Sequence, residues 1–179
     1  MPAASFFRKR IAVPQEHGSW VFLLLPLLVG VRAAGRPTIE SVYLLVAALA
    51  VFFMRQPILA ITKVRAGRRP RSDLPAAWTW LLLFAAVACL HVYGLVLRGH
   101  AGVLRLGIPA AIIAGWHAWL VFRRAERRQE LMEILAAGAL SLSAPAAVIV
   151  AQPDASRDLL LALWLGTWVA SAAMIACAY

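Results

Sequence analysis

Acidic residues are scarce in this chain: eight Asp and Glu stand against eighteen Lys and Arg in 179 residues. Charged residues of both signs make up only 15% of the sequence, against roughly 25% in ordinary soluble domains. That excludes a conventional soluble domain wrapped in a charged surface. Cysteine is almost missing too. Cys89 and Cys177 lie far apart, each inside an apolar run. Neither a disulfide framework nor a zinc site has the spacing it needs, so no metal site is expected. There is no phosphate-cradling Walker loop, dinucleotide GxGxxG, zinc-protease HExxH or GxSxG nucleophile turn. The familiar signatures of soluble catalysis are therefore absent.

What the chain has in abundance is hydrocarbon. Hydrophobic residues make up 63% and the mean hydropathy is +0.78. At this length one soluble core cannot absorb that much apolar surface, whereas a bilayer can, because it acts as an apolar solvent. Residues 1–179 are expected to form a single integral membrane domain with no second globular unit. The net charge of +10 invites a nucleic-acid reading. However, the cations fall in short clusters between apolar runs, as topology determinants do, so no nucleic-acid partner is expected.

A helical span needs about 20 mostly apolar residues. Six stretches qualify, at about 17–35, 38–63, 76–97, 104–122, 131–151 and 159–179. The fold class is all-α, a polytopic membrane helix bundle with about six transmembrane helices. Arg8, Lys9 and Arg10 ahead of the first run give it the look of a signal peptide, with Val31–Ala34 as a loose cleavage site. The polar insertion Pro14–Trp20 and the membrane character of the rest favour a retained span instead. Pro26 is expected to kink span one, and Pro145 falls inside span five. Short connections predict that consecutive helices are antiparallel neighbours. The last span runs to the final residue without a polar tail, which leads us to expect a larger complete architecture.

Twelve Lys and Arg fall on one side of these spans, in the N-terminal segment, the 63–71 connection and the 123–128 connection. Five fall on the other: Arg32, Arg36, Arg98, Arg105 and Arg157. The positive-inside rule then places both ends of the chain in the cytoplasm.

Polar residues near hydrocarbon are costly and so informative. Arg55 follows a long apolar stretch and is expected inside the cytoplasmic half of span two, unless its head snorkels to the headgroups. Pro57 frees a backbone carbonyl one turn earlier. Arg55, Leu59 and Thr62/Lys63 share a face by helical periodicity, and a cation pair there suits a phosphate or carboxylate. His17 and Trp20, three residues apart, lie on one face of the first span. Either they act as polar ligands or they anchor the interface. Glu126, Glu130 and Glu133 would line one helix face. Such carboxylates can hold a cation or move protons, but the interleaved arginines favour mutual neutralisation. His91 and His117 read as packed, hydrogen-bonded histidines. Trp116 and Trp119 read as packing or interfacial rings. Gly138, Ser141, Pro145, Gly166 and Ala170 read as close helix contacts.

Pro14-x-x-His17-Gly18-x-Trp20 running into Leu23-Leu24-Leu25-Pro26-Leu27-Leu28-x-Gly30 resembles the opening of YwiC-like bacterial membrane proteins. Arg55-x-Pro57 with the basic run Lys63–Arg71, and Arg123–Arg127 leading into span five, extend the likeness over nearly the whole chain. The resemblance implies a multi-span protein of the bacterial cytoplasmic membrane, with no assigned activity and no known cofactor. A more distant likeness is to UbiA-type prenyltransferases, whose first helix begins similarly. Their aspartate-rich motif, which binds magnesium and prenyl diphosphate, is missing. Arg55, Gln56 and Lys63 stand in its place. A site of that kind would need direct Arg and Lys contacts to an anion.

Three functional expectations follow. The first is a basic, cytoplasm-facing cavity for an anionic small molecule or lipid headgroup, built from His17, Trp20, Arg55 and Lys63. The second is a prenyl- or lipid-transfer enzyme using Glu126, Glu130 or Glu133. The third is an accessory subunit of a membrane complex. In each case the bilayer is a partner.

Overall fold

The computed structural model describes residues 20–123 and 130–178. Among them there is no strand. Seven helices follow one another: α1 (Val21–Ala33), α2 (Ile39–Arg65), α3 (Leu74–Leu97), α4 (Leu104–Phe122), α5 (Glu130–Ser141), α6 (Ser143–Ala151) and α7 (Arg157–Ala178). Among the described residues five stretches are long and apolar enough to cross a membrane, with α5 and α6 counting together as one of them. The protein is a polytopic membrane helix bundle.

The ends of the helices follow from local chemistry. Thr38 caps α2 by accepting from the Ser41 N–H at 3.2 Å, while the Ser41 hydroxyl accepts from the Thr38 N–H at 3.4 Å. Helix α2 stops at Gly67, whose φ of +71° suits glycine. There the Gly67 N–H donates to the Val64 carbonyl at 3.0 Å and the Arg68 N–H to that of Lys63 at 2.8 Å. This pair of bonds is the Schellman stop.

Among the described residues alanine supplies nearly half of the buried hydrophobic positions. Ala47, Ala50, Ala60, Ala76, Ala77, Ala137, Ala144, Ala146 and Ala147 are all buried, while Leu82, Leu90, Leu97 and Ile112 are exposed. In lipid there is no hydrophobic drive between helices, so small residues that allow close backbone approach mark the inside.

Two expectations are corrected. Consecutive helices are not all neighbours: α2 and α3 pack most extensively, but α1 barely touches α2 and lies instead against α6. The reason is small-residue packing. A Cβ on Gly30 would collide with the backbone of Ala144, coming within 2.8 Å of its Cα. The two helices run parallel, since the Ser143 hydroxyl donates to the Leu23 carbonyl at 3.4 Å and Gln152 Nε2 to that of Ala34 at 3.2 Å.

Span five forms over its expected residues, Leu131–Ala151, as two helices in succession. It breaks at Leu142, whose N–H donates to Ala139 at 3.2 Å in a tightened turn. Pro145, with no N–H to give the Ser141 carbonyl, explains the break. The indole of Trp164 on α7 donates to the Gly138 carbonyl at 2.9 Å, and that of Trp168 to Ile134 at 2.8 Å. Of the expected close contacts, Gly138 meets the Trp168 ring at 2.7 Å from an ideal Cβ, whereas Gly166 has nothing within 4 Å. Gly166 and Ala170 are exposed on the outer face of α7, so they make no close helix contact. Helix α1 spans 13 residues, about 20 Å at 1.5 Å per residue, so the described part of span one falls short of the hydrocarbon thickness.

Candidate functional site: a basic end of the bundle

The last turn of α2 carries Lys63 and Arg65, the α2–α3 connection carries Arg68, Arg69 and Arg71, and Arg123 follows the end of α4. The structure joins these two segments. Arg68 Nη1 donates to the carbonyl of Val121, the one buried residue of α4, at 3.3 Å. The Arg123 guanidinium lies 5.7 Å from the ring centre of Trp119, in cation–π range. Trp119 is itself exposed, as is Trp116, so both rings face outward beside this end. Arg69 Nε lies 3.9 Å from the carboxylate of buried Asp73. At the opposite end, Arg98 pairs with Glu40 at 3.3 Å.

Arg55 and Lys63 are both half-buried on α2. Pro57, Ala60, Ile61 and Val64 form the buried stripe of this half of the helix. Arg55, Leu59 and Thr62 occupy the opposite, half-buried side. Thr62 turns its hydroxyl back to the Ile58 carbonyl at 2.9 Å. Lys63 lies about 12 Å along the axis from Arg55 and nearer the basic connection.

Trp20 packs into the bundle. Its ring lies 5.0 Å from Phe53 edge-on and 5.8 Å from Phe52. The contact continues through Phe84 and Trp80 of α3, stacked at 5.3 and 5.5 Å. Trp20 thus meets α2 one turn from Arg55, about 18 Å from the Arg65 end. Glu133 is exposed in the first turns of α5. His17 and Glu126 lie outside the described residues, and so does the side chain of Glu130. Among the described residues, no three His, Cys, Asp or Glu are grouped as metal ligands.

Sequence reasoning did not foresee the Arg68–Val121 bond or the Glu40–Arg98 pair. The second had a readable signal, an acid at the start of one span and a base at the end of the next. The first had none, because its acceptor is a backbone carbonyl.

No curated protein and no solved structure matches the chain, so the likeness to UbiA-type prenyltransferases rests on sequence features alone. A family model does match. It is described as YwiC-like protein and covers residues 13–148, more than half of the chain. The chain belongs to the YwiC-like family.

Proposed function

We propose that this protein sits in the bacterial cytoplasmic membrane with its N-terminus in the cytoplasm, and that its basic end holds an anionic ligand or lipid headgroup. The observation that carries the reading is the Arg68–Val121 hydrogen bond at 3.3 Å. It draws the Lys63–Arg71 connection against the α4 end bearing Arg123, so two clusters separated in sequence contribute to one positive field. Guanidinium groups recognise phosphate and carboxylate oxygens bidentately, and Lys63 adds a point charge. Arg55 extends positive potential into the half-buried side of α2, close to Trp20. In this reading His17 joins from the segment preceding Trp20. Glu126, Glu130 and Glu133 balance the neighbouring arginines and tune the field.

The test is thermal unfolding of purified protein in nanodiscs, with inorganic diphosphate and phosphatidylglycerol as probes. Both should raise the melting temperature of the wild type. Arg55→Gln/Lys63→Gln should lose most of that rise while keeping the helical content. An undiminished rise in the double variant would overturn the assignment of these residues.

A further inference from the structure

At the end of the bundle away from the basic connections, α2 and α3 enclose a groove of about 410 Å³. Val42, Leu90, Tyr93 and Leu97 line it and are 49, 65, 60 and 68% exposed. These residues lie on the outward faces of two spanning helices, so the groove opens sideways into hydrocarbon. Its floor is made by Tyr43, His91 and Gly94. A Cβ on Gly94 would strike the Tyr43 ring, so glycine there is what lets Tyr43 lie flat across α3. His91 Nδ1 donates to the Val87 carbonyl at 2.8 Å, which commits that proton to its own helix. The imidazole lies beside the Tyr43 ring at 5.4 Å between centroids, tilted by 53°.

The mouth of the groove is charged with both signs. Arg98 Nη1 meets Glu40 Oε1 at 3.3 Å, with the two side chains 42% and 20% exposed. The same guanidinium lies 5.1 Å from the centre of the Tyr43 ring. Tyr43 and Tyr93 sit within about 6 Å of the ends of their helices at 1.5 Å per residue, at headgroup depth. No hydrogen bond occupies either hydroxyl among the described residues.

We infer that this groove binds a zwitterionic glycerophospholipid with a primary ammonium, phosphatidylethanolamine, rather than an anionic one. One acyl chain fills the apolar groove. The phosphate takes the guanidinium donors of Arg98 not used by Glu40, and the ammonium reaches Glu40. The tyrosine hydroxyls donate to ester carbonyls. Charge complementarity selects the headgroup. A lone arginine would suit any phosphate, but Glu40 at 3.3 Å from it repels a net anionic headgroup and attracts an ammonium. The site is independent of the basic end, since its residues lie at the other end of α2 and α3.

Native mass spectrometry of the full chain carrying Arg55→Gln/Lys63→Gln, which removes the anionic-lipid site proposed at the basic end, tests this after delipidation and titration with phosphatidylethanolamine or phosphatidylglycerol. This background should bind one phosphatidylethanolamine about tenfold more tightly than phosphatidylglycerol, the size of one charge-assisted contact. Glu40→Gln should abolish that preference, and Arg98→Gln should weaken both lipids. Val42→Trp, at an exposed position, should fill the groove and remove the bound lipid without disturbing the bundle. Equal affinity of this background for the two lipids, or unchanged binding when Val42→Trp is added to it, would overturn the inference.

Discussion

The indole N–H of Trp164 donates to the carbonyl of Gly138 at 2.9 Å. The Gly138 carbonyl would ordinarily receive the N–H of Leu142, but that N–H goes to Ala139 at 3.2 Å where span five breaks. A tryptophan on α7 thus satisfies a carbonyl that the break releases, inside a membrane where an unsatisfied group is costly. Trp164→Phe keeps the stacking with Trp168 but removes the donor. It should lower stability by about 1 kcal/mol, within the range for interhelical hydrogen bonds in membranes. Reversible unfolding in mixed micelles measures it, and no change would show that the carbonyl finds another donor.

The α1–α6 contact depends on the missing side chain of Gly30. Gly30→Ala drives a methyl into the backbone of Ala144, which cannot rotate away. A loss of about 1–3 kcal/mol is expected, as for overpacked cores. Gly107→Ala is the control. Nothing lies within 4 Å of its Cβ position, so the better helix former should be neutral or stabilising by up to about 1 kcal/mol. Equal effects of the two substitutions would contradict the packing described for α1.

Gly67 ends α2 at a φ of +71° with open space around its Cβ position. Gly67→Ala therefore carries a purely conformational cost of roughly 1–2 kcal/mol. Its consequence should be local. Amide exchange should rise at Gly67 and Arg68, whose N–H groups close the helix, while α6 stays protected. Global loss of protection would mean that the connection supports more of the bundle than its contacts suggest.

The orientation can be read chemically. With Cys89 and Cys177 replaced by alanine, a single cysteine at Arg69 should react with a membrane-impermeant maleimide only after the cells are opened. One at Arg36 should react in intact cells. The reverse pattern would invert the topology and place the basic end outside.

Much of the architecture was legible in the sequence, because hydropathy runs and charge clusters report directly on the bilayer. Spans two, three and four match their helices closely. The partner of α1 was not legible. It is set by Gly30 meeting Ala144, a contact between residues more than a hundred positions apart that periodicity cannot register. The break at Leu142 was half legible: Pro145 announced a disturbance, but the turn and its rescue by Trp164 needed the third dimension. At the site, Arg55 and Lys63 stood out by cost alone. What brings Arg68 beside α4 is a backbone carbonyl, to which sequence pattern is blind.

The central claim is that the basic end binds an anion. Its most direct measurement is calorimetric titration of inorganic diphosphate into the purified protein in neutral detergent, repeated at rising salt. Binding should weaken steadily with ionic strength, as for partly exposed charges. It should fall about tenfold or more in Lys63→Gln/Arg68→Gln, the loss of charge-assisted hydrogen bonds. Absence of binding by the wild type at low salt, or binding indifferent to both salt and the double substitution, would contradict the account.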